Sequence, residues 1–155
     1  MRDSIKIANV LLQNSAREIL LLQRSPKLKR PYLWGLPGGM IDDGETAKCA
    51  AQRELYEETG IKEQDIVTRG MKKFLIEMPD ENVEISTLEA KLKKDTVEII
   101  LDPKEHLAYR WMQYMDIFNS KRILPGVPTM IAESLEIPGG FTDFTIQVGT
   151  SVHLL

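Results

Sequence analysis

A predicted helix with three glutamates on one face is the feature that most constrains how this chain can fold. The helix is expected from Thr46, its N-cap, to Glu58, and Gly60 is expected to end it. Glu54, Glu57 and Glu58 stand at i, i+3 and i+4. On a helix this spacing places the three side chains within an arc of about 100°. Because like charges so close together repel, the fold has to bring a cation to them.

The acidic face borders the predicted buried side of the helix, which Ala47, Ala51 and Leu55 mark. Arg53 stands four residues before Glu57 and can pair with it. One guanidinium cannot neutralise three carboxylates, so a hard divalent cation with oxygen ligands is expected as well. Mg²⁺ is the first choice because it takes a few carboxylates, waters and substrate phosphates, and Mn²⁺ is expected to substitute for it.

Glycine-containing turns flank the predicted helix. Gly38 and Gly39 follow Pro37 and predict a tight loop whose backbone can approach a ligand closely, and Gly44 predicts a second turn. Glu45 falls at the start of the helix, where a carboxylate suits the helix dipole. These flanks favour a binding site over the alternative, a glutamate-rich helix that is only solvated.

The segment from 39 to 61, GMIDDGETAKCAAQRELYEETGI, resembles the Nudix box, G-x5-E-x7-R-E-U-x-E-E-x-G-U, where U is a bulky aliphatic residue. The constrained positions all match: Gly39, Glu45, Arg53, Glu54, Leu55, Glu57, Glu58, Gly60 and Ile61. The resemblance implies an α/β protein with a Nudix-like α/β/α sandwich and a mixed β-sheet. It also implies hydrolysis of a nucleoside diphosphate that is linked to another group.

Roles follow from the resemblance, position by position. Glu57 and Glu58 would be metal ligands, and the Gly39 carbonyl would add a further ligand. Glu54 would be a ligand or the general base. Arg53 would orient the glutamates by ion pairing. The same chemistry is reasonable on physical grounds, since a metal lowers the pKa of a bound water and a nearby carboxylate can accept its proton.

A further acid outside the box is expected from the resemblance, shortly before a strand that contains a tryptophan. Glu105, in EHLAYRWM, is the preferred match, and Glu98 and Asp95 are alternatives. The general base is therefore either Glu54 or one of these loop acids. His106 is expected to be a surface or packing residue rather than a ligand.

Substrate contacts are expected from the segments on either side of a basic loop. Arg24 ends the second predicted strand, where the resemblance implies contact with phosphate or base. Trp34 either stacks on a base or belongs to the core. Gly38 and Gly39 would approach the substrate with their backbone. The basic residues of the loop itself are Lys27, Lys29 and Arg30, and for these a solvated role is the main expectation.

Hydrophobic patterning predicts the remaining elements. Strands are expected at 5–12, 18–22, 65–78, 83–92 and 107–113, and helices at 115–119 and 127–135. Helices mixed with hairpin-linked strands indicate an α/β protein, and a single domain over 1–155 is expected. The tail 139–155 is either a late strand or an extension that packs on another subunit. The second alternative motivates a homodimer hypothesis.

Composition restricts the partners. The 155 residues carry a formal net charge of −3, which argues against a nucleic acid polymer as the ligand but allows a small nucleotide. The apolar runs are too short to span a membrane, and no secretory signal is evident, so a cytoplasmic protein is expected. Cys49 is the only cysteine, which excludes a disulfide within the chain.

The sequence LLLQRS before the loop, followed by LPGG, resembles the nucleoside triphosphate branch of the family. We therefore expect hydrolysis of a canonical or oxidised nucleoside triphosphate to the monophosphate and pyrophosphate. Nucleotide-sugar or ADP-ribose hydrolysis is the first alternative, and a non-catalytic nucleotide-binding module is the second. An isomerase on the same scaffold would need a catalytic cysteine that cannot be placed here.

Overall fold

The computed structural model describes residues 4–77, 79 and 81–136, and the backbone of residues 141–147. The described strands are β1 Ser4–Gln13, β2 Ile19–Arg24, β3 Trp34–Gly35, β4 Gly38–Met40, β5 Ile66–Glu77, β6 Asn82–Leu92, β7 His106–Met112 and β8 Phe141–Gln147. The described α-helices are α1 Ala47–Thr59, α2 Tyr114–Asn119 and α3 Val127–Glu136, and a short 3-10 helix covers Glu63–Asp65.

One mixed sheet joins these strands in the order β3-β2-β1-β6-β5-β8, with β4 paired to β1 and β7 paired to β2. Strands β1 and β6 run parallel over their whole length, from Ser4↔Asn82 to Gln13↔Lys91. Strands β5 and β6 form the antiparallel pair that the sequence predicted. The predicted mixed β-sheet is therefore confirmed.

Hydrophobic side chains project from both faces of the sheet, because successive residues of a strand point to opposite sides. On one face, Val10 and Leu12 of β1 pack with Ala51 and Leu55 of α1. On the other face, Leu11 of β1 belongs to a cluster that includes residues of α2 and α3; its helical members are Ile117, Val127, Met130 and Ile131. Burying one such side chain contributes about 1.5 to 3 kcal/mol. The sheet between two helical layers is the predicted α/β/α sandwich.

The acidic helix begins and ends where the sequence predicted. The Thr46 side chain accepts a hydrogen bond from the Cys49 amide at 3.1 Å, which caps the first turn of α1. Gly60 ends the helix with φ at 77°, a left-handed conformation that glycine adopts without strain. Strand β3, after the basic loop, is only two residues long, and its Trp34 also forms an isolated parallel bridge with Ile123.

The C-terminal tail contributes a strand to the same sheet. Strand β8 pairs in parallel with β5, with Met71 opposite Phe141 and Glu77 opposite Gln147. The late-strand alternative is confirmed for these residues, and the rest of the tail, 139–140 and 148–155, lies outside the described residues. The homodimer and the single domain over 1–155 stay predictions.

A buried ion pair connects β5 and β6 beneath α3. The Lys72 ammonium lies 2.5 Å from a carboxylate oxygen of Glu89, and the two side chains are 0% and 7% exposed. Lys72 shares its face with Phe74, and Glu89 shares its face with Ile85, so both project into the hydrophobic layer. A buried pair of this kind costs much desolvation and depends on both partners being present.

Among the described residues, no helix is both long enough and apolar enough to cross a membrane.

Candidate active site

The glycines before α1 bring the backbone of β4 against both the sheet and the acidic helix. The Gly38 amide donates a hydrogen bond to Oε1 of Glu58 at 2.8 Å. A β-carbon on Gly38 would collide with the carbonyl oxygen of Ala8 in the neighbouring strand. A β-carbon on Gly39 would lie 2.5 Å from the carboxyl carbon of Glu54. Close approach, rather than an unusual backbone angle, therefore requires glycine at both positions.

Arg53 connects the acidic side chains to one another. Its Nε and Nη2 donate to the two carboxylate oxygens of Glu45 at 2.8 and 3.0 Å, a bidentate arrangement. Its Nη1 donates to Oε1 of Glu54 at 2.9 Å and lies 3.3 Å from both oxygens of Glu57. Nη2 also donates to the Met40 carbonyl at 3.1 Å. The predicted orienting role of Arg53 agrees with this geometry, and Glu45 holds the guanidinium in place.

The three glutamates differ in burial. Glu58 is 5% exposed, and the Glu54 side chain is 14% exposed. The Glu57 side chain is 54% exposed and faces solvent beside Arg53. The acidic face is therefore buried on one side only, as its position beside the apolar stripe implied.

Burial changes the protonation behaviour of two of these acids. Desolvation raises the pKa of Glu58 to about 8, and the charges of Glu54 and Glu105 raise it further. The Gly38 amide and the charge of Arg24 oppose this shift. Burial is also the main reason that the pKa of Glu54 is raised, while the hydrogen bond from Arg53 opposes it. Without a cation, the site therefore disfavours having all its carboxylates ionised.

Glu105 comes to the site from the turn that leads into β7. Strand β7 pairs with β2, with Arg24 opposite His106, and the Ser25 amide donates to the Glu105 carbonyl at 2.8 Å. Glu58, Glu105 and His106 each have a potential ligand atom, and these three atoms all lie within 4.8 Å of one another. The alternatives Glu98 and Asp95 are exposed and are not in this group. The geometry thus favours Glu105 among the loop acids.

Arg24 and Trp34, the two side chains predicted to contact the substrate, have different surroundings. The Nε of Arg24 donates to the Lys29 carbonyl at 2.7 Å, which holds the basic loop. Burial, with the charge of Arg30 next, lowers the pKa of Arg24, while the charge of Glu58 raises it, so Arg24 lies within electrostatic reach of the acidic site. Trp34 is 9% exposed, belongs to the core and has the Arg110 guanidinium 5.2 Å from its ring centroid. Packing is the role that its position favours, and base stacking by Trp34 stays a prediction.

The whole site lies within a segment that matches a known family. The NUDIX domain model matches residues 4–133. The chain belongs to the Nudix family. The predicted family membership is therefore confirmed, and α1 with the preceding β4 is its Nudix helix and loop.

Relatives within the Nudix family carry different names. A Bacillus subtilis protein with the provisional name 8-oxo-dGTP diphosphatase is 49% identical over 53 residues, which cover 34% of this chain and 33% of that protein. This chain thus matches about a third of the length of that relative. The asymmetrical bis(5'-nucleosyl)-tetraphosphatase of Rattus norvegicus is 38% identical over 104 residues, 65% of this chain and 67% of that protein.

A solved structure supports the same architecture. The MutT protein of Methanosarcina mazei Go1 aligns with a TM-score of 0.73 and 25% sequence identity, over 87% of this chain and 94% of that one. Because the alignment covers 87% of this chain, the likeness extends well beyond the box at residues 39–61.

The residues of this Nudix site suit a divalent cation. Glu54, Glu58 and Glu105 offer carboxylate oxygens, and Nδ1 of His106 is buried without a hydrogen-bond partner in the described part of the chain. Carboxylates are the ligands that hard divalent cations take, and an unpartnered buried nitrogen is a second sign that something polar belongs there. Family members generally depend on such ions.

His106, for which the sequence predicted a surface or packing role, is buried beside the acids of the site. The residue is 6% exposed, and its Nδ1 lies 3.8 Å from Oε2 of Glu58. Burial, with the charge of Arg24 next, lowers the pKa of His106 to about 4, so the imidazole is neutral. The available signal was its place directly after Glu105 and at the first residue of a strand, but only the pairing of β7 with β2 brings it to the Nudix helix.

Proposed function

We propose that the chain is a metal-dependent pyrophosphohydrolase that cleaves a nucleoside triphosphate, canonical or oxidised, to the monophosphate and pyrophosphate. Mg²⁺ is the proposed ion, with Mn²⁺ as a substitute. The observation that carries the proposal is the convergence of Glu54, Glu58 and Glu105 in a partly buried site, where burial raises the pKa of Glu58 and Glu54 and the charge of Glu105 raises both further. Such a site is stable with all its acids ionised only when a cation is shared among them.

Each residue of the helix has a distinct part in this proposal. Glu57 and Glu58 hold the ion, together with the carbonyl of Gly39 and with Glu105. Arg53 keeps the carboxylates at fixed positions through its hydrogen bonds, which include the contact of 2.9 Å to Glu54. A bound divalent ion supplies charge neutralisation at the phosphate oxygens and lowers the pKa of an attacking water.

Glu54 is the proposed general base. Its Oε1 accepts a hydrogen bond from Arg53, which leaves Oε2 to receive the proton of the attacking water. Burial raises its pKa, and a base whose pKa is closer to neutrality accepts a proton more effectively. Glu105 lies close enough to influence the pKa of Glu54 and is the alternative base.

Arg24 would bind the phosphates of the substrate. Arg24 is half-buried, lies within electrostatic reach of Glu58 and is held by the Lys29 carbonyl, so its guanidinium has a fixed direction. We expect Arg24→Ala to raise KM for the triphosphate more than it changes the unfolding free energy. Lys27→Ala, in the same loop but exposed, is the matched control. Unchanged kinetics of Arg24→Ala would make Arg24 a loop-holding residue only.

The substrate is the least constrained part of the proposal. The name of the Bacillus relative supports a nucleoside triphosphate, whereas the longer match to the rat enzyme favours a dinucleoside tetraphosphate as the second candidate. The test is a screen of triphosphates, dinucleoside tetraphosphates, ADP-ribose, nucleotide sugars and a 5′-triphosphorylated oligoribonucleotide, with Mg²⁺. Phosphate release is measured with and without added inorganic pyrophosphatase. The nucleotide products are also separated by anion-exchange chromatography, because dinucleoside tetraphosphates, ADP-ribose and nucleotide sugars release neither phosphate nor pyrophosphate.

We expect nucleoside triphosphates to release phosphate only when pyrophosphatase is added. Preference for another class of compound would change the proposed substrate but not the proposed type of reaction. Glu57→Gln should lower kcat by about 100-fold or more, since even outer-shell changes at metal sites cost 10- to 100-fold. Glu63→Gln, an exposed glutamate in the 3-10 helix, is the control. No turnover of any compound by a folded protein that binds nucleotides would favour the non-catalytic binding module.

A further inference from the structure

His106 presents a buried nitrogen for which the described residues provide no partner. The side chain is 7% exposed, and Nδ1 lies 3.8 Å from Oε2 of Glu58, too far for a hydrogen bond. No hydrogen bond to Nδ1 is formed within the described part of the chain. Leaving a buried polar atom unpaired costs about 1 to 3 kcal/mol, so a partner is expected.

The side chains around this nitrogen belong to the acidic site or already have hydrogen-bond partners. Glu58 and Glu105 are the acids whose oxygens lie, with a ring nitrogen of His106, within 4.8 Å of one another. Oε1 of Glu58 is taken by the Gly38 amide at 2.8 Å, so Oε2 is the oxygen that faces the imidazole. Arg24, which lies opposite in the β2–β7 pair, only donates hydrogen bonds, and its Nε donates to the Lys29 carbonyl.

The spacing of the donor atoms suits a shared ion better than a direct contact. Ligand atoms at about 2.1 Å from an ion stand about 3 Å apart when adjacent and about 4.2 Å apart when opposite. The separation of 3.8 Å between His106 Nδ1 and Glu58 Oε2 lies between these two distances, so a shift of less than about 1 Å would bring both atoms into position as adjacent ligands of one ion.

The backbone of His106 is held on both sides. Its amide donates to the Asp102 carbonyl at 2.9 Å, and Ser25 binds the preceding turn through its hydroxyl, which donates to the Lys104 carbonyl at 2.6 Å. A ligand placed on a fixed strand end is oriented before binding, which is what a metal site requires.

We propose that Nδ1 of His106 is a ligand to the same divalent ion that Glu58 and Glu105 hold, and that this nitrogen makes the site favour Mn²⁺ over Mg²⁺. The inference rests on the proposed function, because it assumes that the carboxylates hold an ion. Imidazole nitrogen suits first-row transition metals, whereas Mg²⁺ takes oxygen ligands almost exclusively. A site with one nitrogen donor therefore discriminates between the two ions more strongly than an all-carboxylate site.

The experiment uses the full chain freed of metal with EDTA, dialysed and loaded with one equivalent of Mn²⁺. Pulsed electron paramagnetic resonance detects a nitrogen nucleus bonded to Mn²⁺ through its modulation of the echo. We expect ¹⁴N modulation in the wild type, and its replacement by the ¹⁵N pattern when only the histidines are labelled with ¹⁵N. The labelled wild type shows without any variant whether a histidine nitrogen binds the ion, so a folding defect cannot obscure that result.

Two variants then locate the nitrogen. His106→Gln should lose the modulation and bind Mn²⁺ about 10- to 100-fold more weakly, while its affinity for Mg²⁺ changes by less than about threefold. His153→Gln removes the other histidine of the sequence and is the matched control. Circular dichroism verifies that each variant is folded.

Several outcomes overturn the proposal, and they differ from failure of the proposed function. Stoichiometric Mn²⁺ binding without nitrogen modulation, or modulation that persists in His106→Gln, would refute the histidine ligand and leave the carboxylate site intact. Equal losses of Mn²⁺ and Mg²⁺ affinity in His106→Gln would refute the metal preference. Absence of any Mn²⁺ binding by the wild type would refute both this proposal and the proposed metal dependence.

Discussion

Glu58 should make the stability of the metal-free protein fall as the pH rises. Burial raises its pKa from 4.5 to about 8, so between these values the folded protein holds a proton that the unfolded chain has released. Because the folded state binds more protons, the free energy of unfolding decreases with increasing pH over this window. Each pH unit costs about 1.4 kcal/mol, which gives a total of about 5 kcal/mol between pH 4.5 and pH 8.

Glu58→Gln isolates this effect. Glutamine keeps an acceptor for the Gly38 amide and carries no charge, so the variant should lack the pH dependence that Glu58 contributes. Urea unfolding in EDTA, followed by tryptophan fluorescence between pH 5 and pH 8.5, measures both proteins. We expect the variant to match the wild type near pH 5 and to exceed it by about 5 kcal/mol above pH 8.

The control for this measurement is Glu63→Gln, which removes an exposed acid outside the site and should follow the wild type at every pH. Adding Mg²⁺ should restore stability to the wild type above pH 8 but much less to Glu58→Gln, since a ligand that binds the folded state stabilises it. A difference between Glu58→Gln and the wild type that does not change with pH would refute the assignment of a raised pKa to Glu58.

Three further predictions concern the site and the sheet. Gly39→Ala should lower kcat by at least tenfold while the fold is retained, because the added β-carbon would lie 2.5 Å from the Glu54 carboxyl carbon. Normal turnover would show that the loop can move away. Lys72→Met should cost about 3 to 5 kcal/mol in urea unfolding because it removes one partner of a buried ion pair. Lys73→Met, in an exposed pair, should cost less than about 1 kcal/mol, and equal costs would contradict the difference in burial. EDTA should abolish hydrolysis and Mg²⁺ or Mn²⁺ should restore it; activity that persists in EDTA would exclude metal dependence.

The Nudix helix could be predicted from the sequence because its signals are local. The cap at Thr46, the stop at Gly60 and the spacing of the glutamates all lie within a few turns of one helix. The long strands were predicted from local composition as well, although residues 85–90 of β6 are all buried because both faces of the sheet are covered.

Local sequence patterns could not predict the features that depend on strand pairing. His106 reaches Glu58 only because β7 pairs with β2, and its neighbours in the sequence do not encode that pairing. The ion pair of Lys72 and Glu89 likewise needs the register between β5 and β6. The role of Trp34 could not be decided from the sequence either, because an aromatic residue before a glycine turn can stack on a nucleotide base or pack in the core. Only the structure shows that Trp34 is buried.

The most direct test of the proposed chemistry is a crystal structure of the protein grown with Mn²⁺, in which anomalous scattering identifies the ion. We expect an anomalous peak enclosed by carboxylate oxygens of Glu58, Glu105 and at least one other glutamate of α1. Clear density for these side chains turned away from one another, with no anomalous signal between them, would contradict the shared-ion site on which the proposed hydrolysis depends.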